Sequence, residues 1–101
     1  MSAQHNVLQK LREIRAELGD KYGVSELGIF GSIARGEDTS TSDLDVLVEF
    51  DPTRPADFFI LSALADALKE TTGHEVDIIT KRALSKKARL KERVEKDVIY
   101  V

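Results

Sequence analysis

The segment 43–50 alternates between two rows of side chains, and this alternation constrains the fold more than any other feature of the chain. Successive side chains of an extended strand point to opposite faces. One row consists of Asp43, Asp45, Leu47 and Glu49, and the other consists of Leu44, Val46, Val48 and Phe50. The wholly apolar second row predicts a half-buried β-strand, whose other face presents two carboxylates side by side.

Asp43 and Asp45 lie roughly 7 Å apart if the segment is a strand. Two carboxylates placed in this way repel each other unless a cation lies between them, and hard divalent cations prefer oxygen ligands. A pair of such ions about 4 Å apart aligns and neutralises an in-line displacement at phosphorus. An Asp-x-Asp sequence by itself is more often a solvated strand end, so its interpretation depends on what precedes it.

A glycine–serine turn precedes the two aspartates. The run before the turn predicts a strand over Ser25–Phe30, and Gly31 ends it with a residue that lets the backbone approach a ligand closely. If Ser32 opens a short helix, its free N–H groups form an anion site suited to phosphates. Arg35 either steadies such a nucleotide or pairs with an acid of the polar loop 36–42, which follows it.

Helical periodicity is found before and after these strands. Apolar residues recur at three- and four-residue steps over Ser2–Leu18, and Gly19 is predicted to end this first helix. Both prolines lie in the segment 51–55, which is predicted to end the second strand and start another helix. The core-facing stripe of that helix is Leu61, Leu64, Ala65 and Leu68. The two aromatic residues at its start, Phe58 and Phe59, are also predicted to lie in the core.

The segment 74–80 predicts a third strand that contains a lone carboxylate. Asp77 shares a strand face with Glu75 and Ile79. If this strand lies beside Asp43 and Asp45, then Asp77 completes an acidic triad and serves as a general base or metal ligand. Glu75 is the reserve candidate for the same role. The order of strands and helices predicts an α/β (α+β) fold, a small mixed sheet with helices packed on it.

The charge of the chain is unevenly distributed. Residues 1–80 carry 7 basic and 15 acidic side chains, whereas residues 81–101 carry 8 basic and 3 acidic ones. The basic end includes a predicted helix, Leu84–Lys96, which either is a solvated face or reaches over to a polyphosphate or an acidic partner. The apolar tail Val98–Val101 either packs on the core or forms a patch for another protein chain.

Length and composition limit the classes of function that the chain can have. A chain of 101 residues predicts a single domain, 1–101, with no room for a second catalytic module. Cysteine is absent, which excludes disulfides and thiolate metal sites. No apolar run approaches the roughly 20 residues that cross a membrane, and the N-terminal residues show no signal pattern, so we expect a cytoplasmic protein. The acidic first 80 residues disfavour nucleic acid as a ligand.

The Gly-Ser pair at 31–32, followed after ten residues by Asp-x-Asp at 43–45, resembles the signature of the DNA polymerase beta-like nucleotidyltransferase superfamily. The Ala-Arg-Gly at 34–36 and the Ser-Asp-Leu-Asp at 42–45 resemble its small branch, the minimal nucleotidyltransferases of the MNT antitoxin type. This resemblance implies the nucleotidyltransferase fold reduced to its catalytic core. It also implies transfer of a nucleoside monophosphate, AMP from ATP being the expected case.

The resemblance further implies roles for individual residues and a partner. Asp43 and Asp45, with Asp77 as the third carboxylate, would hold Mg²⁺, and Gly31 and Ser32 would hold the phosphates of the nucleotide. The expected acceptor is a tyrosine of a HEPN-type ribonuclease toxin, so that the chain acts as an antitoxin. Two alternatives remain: a binding module that neutralises its partner by steric contact, and a nucleotidyltransferase that acts on a small-molecule hydroxyl.

Overall fold

The computed structural model describes residues 2–101, which form four strands and five helices. The helices are α1 (Gln4–Tyr22), α2 (Gly31–Arg35), α3 (Phe58–Thr72), α4 (Lys81–Leu84) and α5 (Ala88–Asp97). The strands are β1 (Val24–Phe30), β2 (Leu44–Phe50), β3 (Val76–Thr80) and β4 (Ile99–Tyr100). Within the described part of the chain, no helix combines the length and the apolar character that spanning a membrane requires.

The strands form one mixed sheet in the order β3-β2-β1-β4. The central pair, β1 and β2, is antiparallel, as is the pair β1 and β4, whereas β2 and β3 run parallel. The parallel pair is connected by α3, because parallel neighbours need a long crossover. This topology places the end of β1 beside the starts of β2 and β3, which is where the candidate site lies.

The two faces of the sheet are covered by different helices and by clusters of unequal size. The larger cluster contains the apolar row of β2 predicted above, packed against buried residues of α1 and α3. The smaller cluster consists of Leu47 on the opposite face of β2, Leu84 of α4 and Val94 of α5. Leu47 shares its face with the carboxylates and is buried nonetheless, because α4 and α5 cover the middle of that face.

The first helix is longer than predicted, and it ends at a different glycine. Gly19 lies within α1, while Gly23 takes the left-handed conformation, with φ 76°, that ends the helix. The Arg54 guanidinium donates hydrogen bonds to the carbonyls of Gly19, Asp20 and Lys21, at 3.1, 3.0 and 3.2 Å. The last carbonyls of the helix are therefore satisfied from a distant segment, which local periodicity does not reveal.

The prediction that Phe58 and Phe59 lie in the core is wrong. They are the first two residues of α3 and are 77% and 80% exposed, with their rings in edge-to-face contact. The helix starts here rather than at the prolines, because the Asp57 side chain accepts a hydrogen bond from the Ile60 N–H at 2.9 Å. Both rings of the first turn therefore lie in solvent, and Leu64 and Leu68 supply the fully buried contacts.

The basic C-terminal region is not one helix, and its tail is a strand. The segment 85–87 separates α4 from α5, and Leu84 belongs to the shorter helix. Ile99 and Tyr100 form β4 and pair with β1. This confirms the first of the two predictions for the tail, that it packs on the core. The fourth strand forms one edge of the sheet, and Val98, between α5 and β4, packs against the smaller cluster.

Candidate active site

The two aspartates predicted to act together lie side by side in the sheet. Asp45 of β2 is in register with Asp77 of the parallel strand β3, and Phe30 of β1 pairs with Asp45 on the other side. Neighbouring strands are about 4.8 Å apart, so the two carboxylates start from adjacent backbone positions on one face. Asp43 is exposed and precedes the first residue of β2 by one position. The predicted adjacency of Asp45 and Asp77 is therefore confirmed.

Gly31 makes the closest approach to this carboxylate pair. Its φ of +75° lies in the left-handed region, which side chains rarely adopt. A Cβ at this position would overlap Oδ2 of Asp45 and lie 3.2 Å from its Cγ. The glycine thus serves two purposes, the sharp turn from β1 into α2 and the space that the Asp45 carboxylate occupies.

The short helix α2 follows directly, with Ser32 half-buried near its start. Arg35, in its last turn, donates hydrogen bonds to Glu37 at 3.1 Å and to Asp97 of α5 at 2.7 Å. Of the two acids in the loop 36–42, Glu37 is the partner of Arg35. Asp38 instead accepts hydrogen bonds from the Ala3 N–H and the Ser2 hydroxyl, so it ties the polar loop to the start of α1.

A cavity of about 380 Å³ lies between the Gly-Ser turn and the C-terminal helix. One wall is formed by Phe30, Gly31, Ser32, Arg35 and Asp45, and the other by Leu90, Arg93, Val94 and Asp97 of α5. The predicted phosphate-binding residues and one predicted carboxylate therefore share a cavity. A larger cavity, of about 520 Å³, lies at the opposite end of β2, between Val48 and Arg82, and contains none of them.

The electrostatic environment of Asp45 favours a cation. Burial raises the pKa of this carboxyl above its usual value, and the charges of Asp77 and Asp43 raise it further, while Arg35 acts in the opposite direction. A bound cation would relieve this repulsion between carboxylates. In residues 2–101, no three His, Asp or Glu side chains converge closely enough to form a ready metal site. The carboxylate oxygens of the aspartates are suitable ligands for a hard cation. Asp45 and Asp77 are the two carboxylates that already lie side by side.

Two residues of the cavity, Arg93 and Asp97, are not identified by sequence reasoning. Both residues lie on one face of α5 with Leu90 and Val94, at three- and four-residue steps. This spacing is the only feature of the sequence that points to them.

The reserve candidate Glu75 has a different environment from Asp77, since it is exposed and lies 2.7 Å from the Lys69 ammonium. Asp77 rather than Glu75 therefore remains the partner of Asp45.

The fold and the site together define a minimal nucleotidyltransferase. The chain belongs to the nucleotidyltransferase domain family, whose model matches residues 11–101. A solved structure of a minimal nucleotidyltransferase superposes with a TM-score of 0.75 and 35% identity, covering 98% of this chain and 95% of that one. The predicted family and fold class are thereby confirmed, and the chain is an enzyme of the nucleotidyltransferase class.

Its curated relatives include proteins named as protein adenylyltransferases. One from Methanocaldococcus jannaschii, provisionally so named, is 38% identical over 101 residues, which is the full length of both chains. The protein adenylyltransferase MntA of Thermococcus cleftensis is 37% identical over 87 residues, 86% of this chain and 84% of the relative. The MNT antitoxin bound to the tri-AMPylated HEPN toxin of Shewanella oneidensis shares the fold, with a TM-score of 0.57 and 18% identity over 97% of this chain and 67% of that one.

Proposed function

We propose that this chain is a Mg²⁺-dependent protein adenylyltransferase that moves AMP from ATP to a tyrosine of a HEPN-type toxin and so acts as an antitoxin. The observation that carries the proposal is the placement of the Asp45 carboxylate directly against the backbone of Gly31, with Asp77 in register beside it. Carboxylates that bind cations and a turn that binds phosphates are the two parts that phosphoryl transfer requires.

Each part of the site has a task in this reaction. Asp45 and Asp77, with Asp43, would hold Mg²⁺, which neutralises charge on the triphosphate when it is bound. The backbone of Gly31 and Ser32 and the Ser32 hydroxyl bind the β- and γ-phosphates. Arg35 adds positive charge once it exchanges its carboxylate partners for phosphate oxygens.

The transfer is a single displacement at the α-phosphorus. The tyrosine oxygen bonds to that phosphorus, the bond from phosphorus to the bridging oxygen breaks, and pyrophosphate leaves with the electron pair. Asp77 accepts the proton of the hydroxyl, since it is exposed and lies in register with Asp45. Positioning and charge neutralisation account for most of the catalysis expected of such a site.

The proposed acceptor rests on the relatives of the chain. A relative named protein adenylyltransferase and a fold neighbour solved with an AMPylated HEPN toxin support a protein acceptor. The basic side chains of α5, next to the cavity, are available to contact such a partner.

The decisive experiment is intact-mass spectrometry of the protein encoded by the adjacent gene. It is incubated with the chain and Mg²⁺ and, separately, with each of the four nucleoside triphosphates. We expect one or more additions of AMP with ATP, located on tyrosine by fragmentation, and no addition with an Asp45→Asn variant. Glu75→Gln is the matched control, because it removes a carboxylate from the same strand region outside the cavity.

The outcomes separate the proposal from its alternatives. A stable complex that suppresses toxin activity without any mass gain would replace the enzyme with a steric binding module. Undiminished transfer by Asp45→Asn would remove this carboxylate from the metal site. Addition of another nucleotide would correct the donor while leaving the transferase assignment in place.

A further inference from the structure

The C-terminal helix forms one wall of the nucleotide cavity. Its residues at 90, 93, 94 and 97 lie on one helical face, and all four line the cavity. Val94 is 1% exposed and packs with Leu47 and Leu84, which fixes the helix on the sheet. The polar members of this face, Arg93 and Asp97, are therefore held next to the cavity by the apolar ones.

The two arginines of the cavity differ in their partners. Arg35 is held by Glu37 and by Asp97, at 3.1 and 2.7 Å. Arg93 takes part in none of the ion pairs or side-chain hydrogen bonds found among residues 2–101. Of the two, Arg93 alone can bind an anion without first leaving a carboxylate.

The opposite wall determines which part of a nucleotide faces Arg93. The α-phosphorus must lie near Asp45 and Asp77, where the acceptor enters. The cavity extends from Asp45 past the Gly-Ser turn to α5, so the polyphosphate runs toward the helix. An arginine presents several N–H donors to phosphate oxygens, and such charge-assisted hydrogen bonds are the strong ones.

We propose that Arg93 binds the β- and γ-phosphates of the nucleoside triphosphate and so completes the phosphate site from the C-terminal helix. The inference rests on the proposed function, because it specifies a further substrate-binding residue of that site. It assigns the basic helix a role in nucleotide binding from the wall opposite the Gly-Ser turn and Arg35. Until the triphosphate enters, the Asp97 carboxylate holds the Arg35 guanidinium in place.

The test compares a triphosphate with a monophosphate. Binding of α,β-methylene-ATP and of AMP, each with Mg²⁺, is measured by isothermal titration calorimetry for the wild type and for Arg93→Ala. We expect the variant to bind the triphosphate analogue about 10-fold or more weakly, as loss of a charged hydrogen bond implies. Its affinity for AMP should change less than about twofold, because AMP lacks the phosphates that Arg93 contacts.

Lys91→Ala is the matched control. It removes one positive charge from the same helix, but residue 91 lies two positions before Arg93, about 200° around the helix axis, and does not line the cavity. We expect wild-type affinity for both ligands. Arg93→Lys keeps the charge and should recover part of the lost affinity. Far-ultraviolet circular dichroism and thermal melts confirm that the variants fold, which we expect because both side chains are exposed.

Three results would overturn the inference, and they are distinguishable. Equal triphosphate affinity in the wild type and Arg93→Ala would remove Arg93 from the phosphate site. An equal loss for AMP and for the triphosphate analogue would indicate a structural role for Arg93. A wild-type chain that neither binds the analogue nor transfers AMP would overturn the proposed function, and with it this inference.

Discussion

Replacing Gly31 with alanine tests the geometry at the centre of the site. Two costs follow from the structure. The backbone φ of +75° penalises any residue with a Cβ by roughly 1–2 kcal/mol. The new Cβ would also overlap the end of the Asp45 side chain, which must rotate away. Because that carboxylate is a movable group, the overlap displaces the proposed catalytic residue more than it destabilises the fold.

Gly73→Ala separates the two costs. Gly73 ends α3 with a φ of +76°, and nothing lies within 4 Å of a Cβ built there. Both variants should therefore lose a similar amount of stability, which corresponds to a fall in Tm of roughly 5–15 °C for a domain of this size. Only Gly31→Ala should lose activity, by about 100-fold or more, because displacement of a reacting group by about 1 Å has effects of that size.

The assay is the rate of AMP transfer at saturating ATP, measured by intact mass well below the Tm of both variants. Thermal melts give the stability of each. Activity of Gly31→Ala within about twofold of the wild type would refute the reasoning, since Asp45 would then be catalytic in more than one position or not catalytic at all. A loss shared equally by both variants would attribute the effect to the backbone alone.

Three further predictions concern single side chains. Asp77→Asn should abolish transfer while Glu75→Gln retains it, measured by the same intact-mass assay. Phe59→Ser should change the free energy of unfolding by less than about 0.5 kcal/mol in urea titrations, because the ring is 80% exposed. Leu64→Ala, at a fully buried position, should by contrast cost about 2–5 kcal/mol. Asp45→Asn should match or exceed wild-type stability at pH 7 in EDTA, because it removes a carboxyl whose folded-state pKa is raised.

The last prediction has a definite pH dependence. A carboxyl with a raised folded-state pKa penalises the folded state above that pKa, and the penalty disappears as the pH falls below the ordinary aspartate value. The stability difference between wild type and Asp45→Asn should therefore shrink on acidification. Greater stability of the wild type at pH 7 in EDTA would contradict the cause assigned to the pKa shift.

The transfer assay has its own contradicting outcome. If Asp77→Asn retains transfer and Glu75→Gln abolishes it, the two residues exchange their proposed roles.

The sequence predicted the part of the site that local patterns determine. The alternation over 43–50 is sufficient to predict β2 and its buried row, because one face of a strand must be buried. The Gly-Ser turn was predictable since only glycine adopts the left-handed conformation easily. Placing Asp77 beside Asp45 required one further step, the parallel pairing of β2 and β3 across α3, and the structure confirms that step.

The errors come from contacts between distant segments. The end of α1 depends on Arg54, which lies more than thirty residues from the carbonyls it binds. Phe58 and Phe59 are apolar, as core residues are, but α3 starts at these two residues, directly after its cap at Asp57, and both remain exposed. The role of Asp97 also needs the tertiary fold, because it meets Arg35 across 62 positions of sequence.

The two walls of the cavity differ in how firmly they are held. The wall with Gly31 and Asp45 is continuous with the central strands and the larger cluster. The wall formed by α5 is fixed by the smaller cluster of three buried residues and by the Arg35–Asp97 ion pair. Under the proposed function, entry of a triphosphate would bring negative charge that competes with Asp97 for Arg35, so nucleotide binding would act on the ion pair and leave the apolar cluster in place.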